Sequence, residues 1–290
     1  MRVLFLFIFI ISTLFAVNID IKNPTLGNGK TLFVEFDADN HTIFKEVKFK
    51  NKSYHIVKNP IDSSKFYALI PINYYSKADI EELKVIYKID KKENSAFFMI
   101  EIKDAKYKKE KITVSAKKVN PKSKKVLKRT SKEYANAMKI YKTFTQKSYI
   151  TSKFILPLNS KITSDFGKAR VYNGSLKGYH SGTDFRAKKP TPIKCINDGK
   201  VVLAKDRFYA GNSVIIDHGQ GIYSCYYHFS KFNVKKGDMV KKGQIIGLSG
   251  ATGRVTAPHL HFAIRVGGEQ VDPLQFIDIM NKNIFNGDKK

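Results

Sequence analysis

Pro258-His259-Leu260-His261-Phe262-Ala263-Ile264 sets two imidazoles one residue apart at the head of an apolar run. In a strand, residues two apart point to the same face, so His259 and His261 look into one site. Two imidazoles on an apolar strand face cost too much polar burial unless they have partners. The partners lie upstream. Tyr179-His180-Ser181-Gly182-Thr183-Asp184-Phe185 supplies an imidazole and a carboxylate, and Tyr226-Tyr227-His228 supplies another imidazole within an aromatic strand. Four of the chain's seven histidines fall in these three clusters. Nitrogen and carboxylate-oxygen donors with no thiolate beside them imply zinc in an open, catalytic type of site.

Outward from these clusters, residues 153–280 read as one compact all-β domain. Gly199-Lys200-Val201-Val202, Gly211 to Gly219 and Gly237 to Gly247 are strands punctuated by glycine at intervals of about ten residues, with no helix before Leu274. His218, in Ile216-Asp217-His218-Gly219, reads as a hairpin-turn residue with a structural role. Cys195 and Cys225 are the only cysteines and sit in apolar runs. They either pair in an oxidising compartment or serve as small hydrophobes.

Residues 105–152 form a lysine-rich connector and a helix. Thirteen Lys or Arg residues lie between Lys103 and Lys132, against Asp104 and Glu110 alone. Such one-sign density predicts an exposed segment, and it offers a tether to an anionic wall or membrane surface. Thr130 and Glu133 fit a capping box. Tyr134, Met138, Tyr141 and Phe144 follow at helical spacing, which predicts a helix of about 14 residues with an aromatic stripe packed on a domain. Residues 17–104 carry short alternating β runs, about seven in number, that favour an immunoglobulin-like sandwich. His41 and His55 have no companion at ligand spacing there, so this domain positions or covers the catalytic one. Residues 1–16, with Arg2 ahead of an apolar run to Phe15, read as a secretory signal, an uncleaved anchor being the alternative. Residues 281–290 are a tail.

The formal charge is +27, which calls for an anionic partner. A chain exported by a signal segment meets wall polymers and lipid head groups, not nucleic acid, and part of the excess charge only keeps the surface solvated. The sequence sets no oligomeric state.

The ordered motifs of residues 155–275 resemble the M23 zinc metallopeptidases of the lysostaphin and LytM type, which cut peptide cross-links of peptidoglycan. They comprise His180-x-x-x-Asp184, Tyr226-x-His228, His259-x-His261, and Val240, Gly243, Ile246 and Gly247. Ser164-x-Phe166-Gly167-x-x-Arg170 ahead of them is similar to Gram-negative members. The resemblance implies a LytM-like fold, His180, Asp184 and His261 as metal ligands, and a fourth position left for water. It implies His259 as general base and His228 as oxyanion stabiliser or proton relay, two roles the sequence does not separate. Gly211 and Asn212 would shape one wall of the groove. The segment 171–178 would narrow the groove, and Pro190 stands where many members have Gly.

The substrate implied is peptidoglycan, either at the D-alanyl–diaminopimelate bond, with carboxypeptidase activity on the same bond, or at glycyl-glycine bridges. The non-enzymatic readings are an M23-like activator of other wall hydrolases and a wall-binding protein. A further expectation is that residues 17–104 fold over the zinc and lend a fourth ligand, Asn or Glu, giving a latent form.

Overall fold

The computed structural model describes residues 17–37, 41–112, 123–172 and 175–285. The expected signal or anchor at 1–16 lies outside them. No helix among the described residues is long and apolar enough to cross a membrane.

The N-terminal part is a two-sheet β-sandwich, as expected. A four-stranded sheet runs Ile19–Ile21, Thr31–Asp37, Lys65–Pro71, Val57–Lys58, and a five-stranded sheet runs Thr25–Gly27, Lys92–Lys103, Asp79–Ile89, Thr42–Phe49, Lys52–His55. Leu32, Val34 and Phe36 alternate into the sandwich core with Val47, Leu83 and Ile100. Phe33 points the other way and is just as buried, because it joins Tyr67 and Leu69 in the core of the next domain. Thr31–Phe36 is therefore buried on both faces.

The C-terminal domain is built on one antiparallel sheet. Its order is Ile162–Ser164, Thr183–Arg186, His259–Val266, Ile222–Phe229, Gly211–Gly219, Gly199–Arg207, Met239–Val240, with Glu269–Val271 also paired to His259–Val266. One face carries Val214, Ile216, Tyr226, Phe262 and Ile264 into the main core, closed by Phe276 and Met280 of the helix Pro273–Ile284. The other face carries Ile215, Tyr223, Cys225 and Ala263, which Ala137 and Tyr141 of the helix Lys124–Tyr141 cover. By alternation His259 and His261 share this second face.

Four expectations are corrected. The connecting helix starts at Lys124, not at Thr130. Ser123 occupies its N-cap without a side-chain bond. Lys124 to Arg129 are good helix formers, and Glu133 is drawn to Arg129 (2.6 Å) and to the Phe208 amide (2.8 Å) instead of closing a capping box. Tyr134 on this helix is solvent-facing, 67% exposed, so the buried stripe is Ala137, Met138 and Tyr141. The connector is not wholly exposed either. Lys109–Ile112 docks as a parallel strand on Ala169–Tyr172, which in turn pairs with Ser175–Tyr179; residues 113–122 lie outside the description. At the C-terminus, Asp272 caps the last helix through the amides of Leu274 (3.0 Å) and Gln275 (3.3 Å), and the helix runs to Ile284, so 281–284 are not tail. Residues 286–290 are outside the described part.

Both cysteines are free and buried. Cys195 belongs to the main core and Cys225 to the layer under the connecting helix, on opposite faces of the sheet, so pairing is excluded by placement. His218 lies in the strand Gly211–Gly219, just before the turn, fully buried between the Asp198 carbonyl and the Ser224 hydroxyl.

Candidate metal centre and active-site groove

Antiparallel register sets Asp184 directly opposite His261. His180 enters from the turn ahead of the Asp184 strand. The turn must pass against the neighbouring strand, and Gly182 allows it: a Cβ there would lie 2.4 Å from the Phe262 carbonyl oxygen and 2.7 Å from His261 Nε2. His180 Nε2, His261 Nδ1 and Asp184 Oδ1 converge, at 2.9 Å and 2.8 Å from each nitrogen to the oxygen and 3.0 Å between the nitrogens. All three residues are buried. His180 Nδ1 lies 2.7 Å from the Asp165 carbonyl oxygen. A carbonyl only accepts, so the proton sits on Nδ1 and the Nε2 lone pair faces the cluster.

Burial pushes the Asp184 carboxyl up, but the His180 and His261 rings set against it outweigh this and hold the group well below the usual range. Burial lowers His261 to about 4, against the pull of Asp184. An anionic carboxylate and neutral imidazoles are the protonation states a metal site needs. This is the one group of three or more possible donors among the described residues that could hold a metal ion. Two nitrogens and one oxygen with no thiolate fit zinc with an open position.

The other two histidines stand beside this cluster. The His228 ring centroid is 4.9 Å from that of His259 and 6.1 Å from that of His261. His228 Nδ1 donates to the Thr252 carbonyl (2.8 Å) and His259 Nδ1 to the Ala257 carbonyl (2.8 Å), so both rings keep a bare Nε2. Burial, reinforced by His259 and His261, lowers His228 to about 3. His259 Nε2 lies 3.7 Å from Asp184 Oδ1. Gly211 and Asn212 do not line the groove as expected. They hold the loop that does: Thr252 packs against Gly211, and Thr252 Oγ1 accepts from the Asn212 amide (2.9 Å).

The groove over the cluster has a volume of about 650 Å³, and Lys111, Arg186, Arg254, Tyr179 and Tyr209 are among its lining residues. No residue of 17–104 lines it, and no fourth ligand from that domain is present among the described residues; the latent arrangement is not what the structure holds. Instead Tyr74 of the sandwich stacks on Tyr179 at 3.7 Å and donates to the Gly167 carbonyl (2.9 Å), bracing the groove wall from behind. Sequence reasoning assigned no site role to Tyr227, whose ring stacks parallel on His261 at 5.2 Å, nor to Thr252. It also passed over Glu110, which reaches the groove from the connector; the available signal was a lone carboxylate in a run of lysines.

Three donors at one end of an antiparallel sheet, with two bare imidazole nitrogens on the open side, define a single-metal all-β domain. Residues 178–273, about a third of the chain, match Peptidase family M23, so this part of the chain is an M23 domain. Over 122 residues it is 44% identical to the peptidoglycan DD-endopeptidase ShyA of Vibrio cholerae, covering 41% of this chain and 28% of that protein. Over 87 residues it is 52% identical to the glycyl-glycine endopeptidase ALE-1 of Staphylococcus capitis, covering 29% of this chain and 24% of that protein. The chain thus spans about a quarter of the length of these curated relatives. A crystal structure of a candidate M23 peptidase from Pseudomonas aeruginosa, 27% identical, superposes with a TM-score of 0.65 over 89% of this chain and 96% of that one. That likeness extends beyond the catalytic domain.

Proposed function

We propose that the chain is a zinc metalloendopeptidase of the cell wall that hydrolyses D-alanyl–diaminopimelate cross-links of peptidoglycan, with carboxypeptidase activity on the same bond. The observation that carries this reading is the convergence of His180, Asp184 and His261 beside the bare Nε2 atoms of His228 and His259. Bound there, zinc would supply Lewis acidity to the scissile carbonyl and to the attacking water. The chain's own groups handle the protons. His259, at the edge of the groove and held in one tautomer by Ala257, is placed to take the proton of the water and hand it to the leaving amine. His228, fixed by Thr252 and kept neutral by its burial, presents a second bare nitrogen to the same space and is placed to relay a proton to the leaving amine.

Identity does not choose the bond, since both a DD-endopeptidase and a glycyl-glycine endopeptidase are close in sequence. Groove charge favours the first. Lys111, Arg186 and Arg254 line a groove whose two carboxylates are engaged, Asp184 with the histidines and Glu110 with Arg170. Cations of this kind suit a substrate that bears carboxylates, as diaminopimelate does and a glycine bridge does not. The reading places the protein outside the cytoplasm, in keeping with the signal-like residues 1–16 and with partners among anionic wall polymers. Retention of the whole donor set and both further histidines speaks against a non-hydrolytic activator.

The test is digestion of purified diaminopimelate-type peptidoglycan by zinc-loaded protein beside His259→Ala, with products separated by mass. Dimeric muropeptides should disappear with the wild type alone. Intact dimers after treatment with zinc-replete wild type would overturn the assignment of the bond, and cleavage of glycine-bridged walls would replace it with the second specificity.

A further inference from the structure

Glu110 belongs to the connector, 54 residues ahead of Ser164 and outside the catalytic domain as sequence delimits it. The parallel register of Lys109–Ile112 on Ala169–Tyr172 sets it directly opposite Arg170. Its Oε2 lies 3.0 Å from Arg170 Nη1, and both its oxygens lie 3.1 Å from Ser164 Oγ. Each of these partners touches a metal-ligating residue. Ser164 Oγ is 3.3 Å from His180 Nδ1, and Arg170 Nη2 is 3.3 Å from Asp184 Oδ2. Ser164 is buried, and the Arg170 side chain is 13% exposed.

The direction of these bonds is fixed by chemistry. A carboxylate only accepts, so the Ser164 hydroxyl proton goes to Glu110 and the serine oxygen is left to accept from His180 Nδ1–H, alongside the Asp165 carbonyl. A negative charge is thereby relayed to the back of the His180 ring, which raises the basicity of Nε2. On the other branch Glu110 shares the Arg170 guanidinium with Asp184. Without that competition the guanidinium would turn fully to Asp184 and draw its charge away from the histidines.

We infer that Glu110 is a positioning residue of the metal centre, the outer carboxylate that orients and charges two of its three ligands, and that the connector is part of the site. The inference rests on the proposed metal site but not on the bond cleaved. It assigns to a segment that reads as a tether a share in holding the ion. Groups of this kind alter metal affinity by about tenfold to a hundredfold when replaced.

The test is zinc affinity of the full chain, measured by competition with a chromogenic chelator, for the wild type, Glu110→Gln and Lys109→Ala. Lys109 is exposed on the same strand and serves as the control. Glu110→Gln keeps the shape but not the charge, and turns one acceptor oxygen into an NH2 donor. It should bind zinc at least about tenfold more weakly, with a metal-free melting temperature equal to that of the wild type. Lys109→Ala should match the wild type in both. Equal affinity for Glu110→Gln and wild type overturns the inference alone. A loss shared by Lys109→Ala, or accompanied by a lower metal-free melting temperature, also overturns it, because the role would then be one of strand docking. A wild type that takes up no zinc overturns the metal site itself, and this inference with it.

Discussion

His218 makes the core of the catalytic domain sensitive to acid. Its Nδ1–H donates to the Asp198 carbonyl at 2.7 Å, which leaves Nε2 as acceptor of the Ser224 hydroxyl, also at 2.7 Å. Ser224 Oγ is 3.1 Å from the Tyr226 hydroxyl, and that hydroxyl accepts from the Ile196 amide. In the neutral state every proton in this buried chain has a place. A proton arriving on Nε2 forces Ser224 to turn, and the chain must reverse where no water can assist. Burial accordingly lowers His218 from 6.5 to about 4. The folded value lies below the unfolded one, so this stabilisation is complete above pH 6.5 and is lost as pH falls towards 4. It amounts to about 2 kcal/mol lost by pH 5 and about 3.4 kcal/mol in full. The assay is urea unfolding of chelator-treated protein at pH 7.5, 6, 5 and 4, wild type beside His218→Gln. The variant should be less stable at pH 7.5, and the gap should close by about 2 kcal/mol at pH 5. All other titrating groups are common to both proteins, so a constant gap across the series would refute the reasoning.

Two further predictions concern packing. Gly211→Ala would place a Cβ 2.3 Å from Thr252 Oγ1 at a φ of +60°, costing more than about 1 kcal/mol and displacing the loop that orients His228; peptidoglycan digestion should fall while zinc content is kept, and an unchanged rate would count against the loop's role. Phe276→Ala empties a fully buried position in the cluster that also holds Phe33 and Tyr67 of the sandwich, so urea unfolding should show a loss of about 3–5 kcal/mol in one transition; a loss under about 1 kcal/mol would mean the helix does not wedge the two domains together.

The candidate donor cluster was legible because it depends on local rules. A period of two puts His259 and His261 on one face, and each remaining cluster is contained in a few consecutive residues. The sheet followed from glycine-punctuated runs in the same way. What escaped the sequence was set by distant partners. Glu133 looks like the closing member of a capping box until Arg129 and the Phe208 amide claim it. Phe33 looks like one more residue of a sandwich strand, and only the docked domain explains why it is buried on the face opposite Leu32, Val34 and Phe36. Glu110 looks solvated, because nothing within the connector shows that Arg170 will lie across from it.

The same long-range contacts decide what the N-terminal domain can do. Moving it off the catalytic domain would expose Phe33 and Leu69, at about 1.5–3 kcal/mol each, before counting Tyr67, whose hydroxyl donates to Gln220 Oε1 at 2.5 Å. It would also break the paired bonds between Thr31 and Gln275, both 2.9 Å, and unstack Tyr74 from Tyr179 in the groove wall. A lid must open at little cost, and this domain cannot. It acts as a buttress that fixes the wall of the groove. Any control exerted from the N-terminal side must then act on the connector, where Lys109–Ile112 pairs with Ala169–Tyr172 and Glu110 meets the partners of His180 and Asp184. Lifting that one strand would reach the metal ligands while leaving both cores intact.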